Sequence, residues 1–260
     1  RTILCGSVAA TWLGTGLINF PPWLMAPFLV LAGGLAGGLL LLVPAILKNK
    51  LKVDEVVTTL LLNFIILLLV NYLLEGPLKD PMSLGWPQAS PIIDEGLLPT
   101  ILSKSRVHAG LIIALIAAIL VWALMRFTVW GYEIRAVGSN VVAATFSGVQ
   151  VNKTIVMIAL LSGGLAGIAG VGEVAGTKGY LTLDLSPGFG YAGIAVAMLA
   201  ALHPLAVIAS ALFLAAIYVG ADSMSRALNV PTYIADVIVA ACVLAVLVSL
   251  MLTRFRLKWH

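Results

Sequence analysis

Few residues of this chain could do covalent chemistry, and their spacing argues against each familiar reaction. His108, His203 and His260 are the three imidazoles. None stands in H-E-x-x-H, the pattern that puts two zinc ligands on one helix face. No serine occupies G-x-S-x-G, the strained elbow that exposes a nucleophile. The run G-V-Q-V-N-K-T, Gly148 to Thr154, has the outline of a phosphate loop. It lacks the second glycine before the lysine that lets backbone N–H groups cradle phosphates. The expectation is a chain with no catalytic residues, no metal site and no ATP site of its own.

The carboxylates point the same way. Most lie near the ends of apolar runs, whereas a secondary carrier or proton pump is expected to hold acids deep within its helices. Asp236 is the deepest, about one turn into the last run, and Asp222 closes the run before it. Asp236 reads either as an interfacial or helix N-terminal charge, or as a polar contact in an outer vestibule. An Asp at the bilayer centre would cost roughly 2.5–3.5 kcal/mol.

The elements that must position these residues are apolar helices. Of 260 residues, 61% are hydrophobic and 10% charged, against about 25% charged in a soluble domain. Several runs approach the roughly 20 apolar residues that cross a hydrocarbon core, where every backbone group must be bonded internally. The predicted class is an all-α polytopic membrane protein. It has one transmembrane domain over residues 1–260 and eight spans near 3–19, 24–47, 54–74, 108–126, 152–172, 188–202, 204–221 and 232–253. The first run has no A-x-A-like cleavage site and reads as a span rather than a signal peptide. Arg1 opens the chain without an initiator methionine, so native sequence is expected to precede it. Cys5 and Cys242 both fall in apolar runs and read as helix-packing residues rather than a disulfide.

Charge orients the spans. The formal net charge is +4, but no basic block interleaved with aromatics appears, so nucleic acid is not an expected partner. Lys48, Lys50 and Lys52 mark one connector, Arg126, Arg135 and Lys153 another, and Arg254, Arg256 and Lys258 the tail. Placing all three inside, by the positive-inside bias, puts both termini in the cytoplasm. Residues 75–107 then form an extracytoplasmic loop. Its five prolines, Pro77, Pro81, Pro87, Pro91 and Pro99, favour turns over a helix. The loop reads as an ordered cap over helix ends or as a landing surface for an external partner. The segment from Glu173 to Gly190 has a hydrophobic centre and reads as a re-entrant piece beside a solute path or as a tight outer hairpin. The pentapeptide G-G-L-A-G occurs at Gly33–Gly37 and again at Gly163–Gly167. It is consistent with close helix packing or with an inverted repeat.

The most unusual connector is the cytoplasmic one, residues 127–151. From Trp130 to Gly148 it carries Glu133, Arg135 and a patch of small residues, more than a plain link between helices needs. Val141–Phe146 is predicted to form a short amphipathic helix. Its small-residue face would let another protein approach the backbone, as a docking element for a soluble motor requires.

Several stretches together resemble one family. V-D-E-V-V-T-T-L-L-L-N, Val53–Asn63, resembles the "vnEvivTlmlN" pattern of bacterial ABC importer permeases of the branched-chain amino acid and simple-sugar group, with Asp54 for the more usual Asn. Gly131–Val149 resembles that group's coupling loop, and Gly179–Ala200 continues the match. G-P-L-K-D-P from Gly76, with Gln88-Ala89-Ser90, is most similar to the nucleoside-type branch. The resemblance spans about residues 30 to 250. It departs at Ala200-Ala201-Leu202-His203-Pro204, where the family commonly has glycine and a basic residue.

The resemblance implies a permease subunit in the bacterial cytoplasmic membrane, working with a second permease subunit, an ATPase subunit holding ATP and Mg, and an extracytoplasmic substrate-binding lipoprotein. It implies ATPase coupling through Arg135, Gly138, Asn140, Ala143, Ala144, Ser147 and Gly148. Asn63, Tyr72, Tyr191 and Asp236 are the residues available along a substrate path, Asn63 serving there or as interhelical glue. Nucleosides or related sugar-type solutes are the expected cargo. Branched-chain amino acids, simple sugars or a motor-independent carrier are the alternatives.

Overall fold

The computed structural model describes residues 2–15, 21–83, 85–101, 107–186 and 188–228, with isolated positions between 233 and 249. Asp236, Cys242, His260, the basic tail and most of the 232–253 run lie outside the described residues. Among the described residues the helices are α1 (Thr2–Gly14), α2 (Pro22–Leu51), α3 (Glu55–Glu75), α4 (Gly110–Phe127), α5 (Val129–Ser139), α6 (Val141–Phe146), α7 (Val151–Glu173), α8 (Phe189–Leu199) and α9 (Ala206–Leu228). The β-structure among the described residues is limited to isolated bridges.

Five helices are long and apolar enough to cross a bilayer: α2, α3, α4, α9, and α7 with its continuation to Lys178. The protein is therefore helical and multi-pass. α1 and α8, with 13 and 11 residues, fall short of the roughly 20 that span the hydrocarbon. Seven of the eight expected runs thus contain helix, but two of those helices are shorter than a span. The run expected at 204–221 begins and ends later, as α9.

The chain divides into two compact units, Arg1–Ala117 with Ala123–Pro187, and Ala118–Trp122 with Gly188–His260. The first is built on α1, α2 and α7. α2 and α7 cross antiparallel through the two G-G-L-A-G segments. A Cβ on Gly37 would strike the Gly163 carbonyl oxygen, and one on Gly167 would strike that of Gly33. Without side chains between them the backbones approach directly, which suits a medium where helix association rests on van der Waals packing rather than on water exclusion. α1 joins through the same device, Gly6 lying on Gly167. There the buried Ser7 hydroxyl donates to the Gly170 carbonyl oxygen at 2.9 Å, and the Thr11 hydroxyl donates back to Ser7 O at 2.9 Å. Cys5 Sγ lies 3.8 Å from the Ala36 carbonyl oxygen, a helix-packing position.

One end of this unit is closed by the proline-rich loop. Leu78, Ala89, Ile92 and Leu98 are buried in it, together with Leu181 and Leu185 from the segment after α7. Backbone bonds staple the two pieces: Ala89 N–H to Leu181 O at 3.0 Å, Ile92 N–H to Gly179 O at 2.8 Å, and Leu98 N–H to Ala175 O at 2.8 Å. The described part of the loop packs as a cap, and Leu181 and Leu185 at the apolar centre of 173–190 are covered by protein, which is what irregular backbone in an apolar setting requires. α7 enters this region through a π-turn, Val174–Lys178.

In the second unit Ala195 of α8 and Leu214 of α9 are buried with Val196, Ile217 and Tyr218 against them. The turn between the helices holds Ala201 at φ 48° and Leu202 at φ 60°. Both are left-handed positions, in the stretch where the family commonly has a glycine. A Cβ there costs roughly 1–2 kcal/mol. Leu202 is also exposed, so its side chain contributes little packing. Leu202→Gly is expected to stabilise the protein by about 0.5–1 kcal/mol, read as a higher melting temperature in detergent. A lower one would place the side chain's contacts above the backbone strain.

Candidate functional site

The connector between α4 and α7 folds as two short helices rather than one helix and a coil. Thr128 is extended and its hydroxyl oxygen accepts the Gly131 N–H at 3.1 Å, starting α5. Gly131 makes the corner, because a Cβ there would strike the Leu124 carbonyl oxygen. Asn140, at φ −159°, ends α5 and begins α6: its side-chain oxygen accepts the Ala143 N–H at 3.0 Å, the usual N-cap bond. The Ser147 hydroxyl donates to Ala143 O at 3.0 Å. Gly148 then turns the chain into α7 at φ +82°, a conformation glycine adopts without a Cβ penalty.

Of the residues expected to couple to a motor, Arg135, Gly138, Asn140, Ala143, Ser147 and Gly148 are exposed. Ala144 differs: at 3% exposure it is turned into the protein's own chain and anchors α6, so its side chain is not offered to a partner. Gly138 has open space where a Cβ would stand. Beside this small-residue surface Val141, Val142 and Phe146 are exposed, Phe146 to 88%. Apolar groups presented together on a capped, ordered element mark an interaction face. A polar pocket of about 230 Å³ adjoins it, lined by Trp130, Glu133, Gly148, Gln150, Lys153, Thr154 and Met157. Sequence reasoning missed the helicity of α5 and this pocket. The Thr128 cap and the spacing to Gly131 were the available signals.

The same end of the unit gathers its basic residues. Asn49 Nδ2 near the end of α2 donates to the Asn152 carbonyl oxygen of α7 at 3.2 Å, bringing the Lys48–Lys52 connector beside the α5–α6 element. Lys48 pairs with Glu55. Asp54 caps α3, its carboxylate accepting the Val56 N–H at 2.8 Å, so Asp serves where Asn is usual because both side chains can make this bond. The capped end carries Glu75, Asp80, Asp94, Glu95 and Asp184, with Lys79 and Lys178 as its described bases.

Of the residues available for a substrate path, the two in the first unit are not brought together. Asn63 and Tyr72 lie about half a revolution apart around α3, and both are exposed, Tyr72 to 69%. Tyr191, 81% exposed, belongs to the other unit. The first unit does contain a cavity of about 460 Å³ at the capped end, between α2, α4 and α7. Its walls are apolar except for His108 and Glu173. His108 Nδ1 accepts the Gly110 N–H at 3.1 Å, fixing the start of α4, and its ring lies on Gly176, where a Cβ would collide with it. Burial lowers the pKa of the His108 imidazole, and because Nδ1 accepts the Gly110 N–H the ring proton sits on Nε2.

Residues 2–247 match the family described as "Branched-chain amino acid transport system / permease component". The guanosine ABC transporter permease protein NupP of Bacillus subtilis is 35% identical over 94% of this chain and 70% of its own length. The glucose ABC transporter permease protein TsgB13 of Haloferax volcanii is 31% identical over 98% and 69%. The nucleoside ABC transporter permease protein NupB of Lactococcus lactis is 28% identical over 95% and 70%. No solved structure matches the chain. A multi-pass helical chain with an exposed two-helix connector, matched by this family over nearly its whole length, belongs to the branched-chain amino acid transport system permease family, whose members are transport components rather than enzymes.

Proposed function

We propose that this chain is the membrane-spanning subunit of an ATP-driven importer for nucleosides or related sugar-containing solutes. The observation that carries the proposal is the α5–α6 element: ordered by its own caps, exposed, and paved with small and apolar side chains. It stands at the end of the bundle where the bases collect, and the positive-inside bias makes that end cytoplasmic. A cytoplasmic ATPase subunit supplies ATP and Mg and docks there. A second permease subunit, copy or homologue, completes the path, and an extracytoplasmic lipoprotein delivers solute to the capped end. The setting is the bacterial cytoplasmic membrane, with both termini inside.

Closure of the ATPase pair would push α6. Because α5 and α6 are joined to α4 and α7 by single residues, Thr128, Asn140 and a short Ser147–Gln150 turn, the push reaches those helices with little slack. The ligand shifts the outward–inward equilibrium only by its differential affinity for the two states. Nucleosides are favoured as cargo because two of the relatives carry nucleosides in their names; the glucose permease keeps a sugar as the second reading. Uptake of radiolabelled guanosine by the chain reconstituted with its ATPase and lipoprotein is expected to require ATP and to be competed by nucleosides. Uptake without the ATPase would make the chain a secondary carrier. Competition only by branched-chain amino acids would overturn the nucleoside cargo.

A further inference from the structure

We propose that the cavity between α2, α4 and α7 is a base-recognition subsite, selective for the donor–donor–acceptor edge of a 2-amino-6-oxopurine (guanine) nucleoside. This deepens the reading of the chain as a nucleoside permease and rests on it.

The cavity has the size of a small-ligand site, about 460 Å³ within the usual range of roughly 300–1,000 Å³. Its walls are supplied by flat aliphatic surfaces, among them Leu111 and Ala114 of α4 and Leu165 and Ile168 of α7. Side chains of this type cover the faces of a planar ring, and enzymes that hold an unstacked base use apolar faces with hydrogen bonds to its edge. Against so apolar a lining, two side chains among the described residues can set orientation, and their chemistry is fixed by what else they do.

His108 spends its Nδ1 lone pair on the Gly110 N–H. A neutral imidazole with one nitrogen accepting donates from the other, so its remaining polar atom is the Nε2–H donor. Glu173 is partly buried and makes no hydrogen bond or ion pair among the described residues. Lys178, the nearest cation along the chain, instead donates to the Asp184 carbonyl oxygen at 3.3 Å. The carboxylate therefore has its acceptor oxygens free. His108 rests on Gly176, about one turn from Glu173 on the same helical segment. The pair presents one donor beside two acceptors.

That pattern sorts ligands. A hexose with hydroxyls around its whole rim would leave several of them unpaired among aliphatic walls, a penalty of about 1–3 kcal/mol for each buried group. An ammonium ion would satisfy Glu173 but face the His108 N–H with its own positive charge. An adenine edge offers a ring-nitrogen acceptor next to its amino group and would set that lone pair against the carboxylate. The guanine edge offers two adjacent N–H donors to the carboxylate and a carbonyl oxygen to the imidazole N–H. The three polar atoms the pair presents, two carboxylate oxygens and one N–H, are then each matched by a group of that edge.

The test is equilibrium binding of radiolabelled guanosine and adenosine to the assembled permease–ATPase complex, with nucleoside uptake by the same complex and its lipoprotein measured in parallel. The wild type is expected to bind guanosine at least about tenfold more tightly than adenosine, because a buried polar site rejects a ligand that leaves it unpaired. Glu173→Gln keeps the shape and adds a donor, and is expected to erase that preference by weakening guanosine and improving adenosine. Ala114→Leu fills the cavity from a different helix and is expected to weaken both. A guanosine preference unchanged by Glu173→Gln, in a complex that still takes up nucleosides, overturns the subsite and leaves the importer reading standing. A wild-type complex that neither binds nor takes up any nucleoside overturns both.

Discussion

Gly163→Ala is expected to destroy the folded permease, while Gly164→Ala, one residue away in the same G-G-L-A-G segment, is expected to be nearly neutral. The difference is geometric. A Cβ at position 163 falls inside contact distance of the Gly37 backbone, with the Gly38 Cα 3.0 Å away as well. These are main-chain atoms of a long helix and have no rotamer to escape into. The methyl group can be admitted only by moving α2 off α7, which also loosens Gly33 from Gly167. Ordinary overpacking costs about 1–3 kcal/mol, and separating two helices along their shared face puts this case at or beyond the top of that range. At position 164 the nearest atom to a new Cβ is the Gly34 carbonyl oxygen at 3.5 Å, an ordinary contact. Thermal unfolding in detergent, with the yield of monodisperse protein, checks both variants. Equal tolerance at 163 and 164 would mean that the α2–α7 crossing is not as close as described.

Ala143→Arg is expected to lower ATP-driven uptake by about tenfold or more while leaving the amount and melting temperature of the protein at wild-type values. Ala143 is exposed on α6, and its N–H already closes the Asn140 cap, so a longer side chain can extend into solvent without disturbing the helix. In the proposed importer that space would belong to the ATPase. A long charged side chain there holds the two surfaces apart, and a lever that is not in contact transmits nothing. Ala143→Ser, small and neutral, is expected to retain uptake. Gly138→Trp probes the neighbouring open space and is expected to behave like Ala143→Arg. Unimpaired uptake in a double variant carrying Ala143→Arg and Gly138→Trp would remove α5–α6 from the coupling path.

The coupling element shows how far such a surface can be read in a sequence. Small residues from Gly138 to Gly148 and the polar Asn140 ahead of Val141 were sufficient for a short helix, and α6 has those bounds. Ala144 was grouped with the exposed alanine beside it because a helix of six residues has too few turns for periodicity to say which face is inward. α5 escaped notice because its polar residues, Glu133 and Arg135, resemble those of a loop. What makes it helical is local: the Thr128 cap and a corner only glycine can turn. The candidate path residues rest on a different kind of inference. Asn63, Tyr72 and Tyr191 were chosen for their chemistry, and chemistry carries no information on facing.

Composition and spacing by themselves determined that this protein is helical and multi-pass and where its long apolar helices fall, and the order of its motifs indicated its family. Those properties are sums over residues or patterns local in the chain, and the low polarity of the bilayer leaves few alternatives. Tertiary structure decided what depends on residues far apart in sequence. It set the two glycine pentapeptides against each other and closed the proline-rich loop over the end of α7. It also placed His108 and Glu173 in one cavity, because which residues 65 positions apart share a lining is fixed by how helices cross and not by any pattern either residue carries.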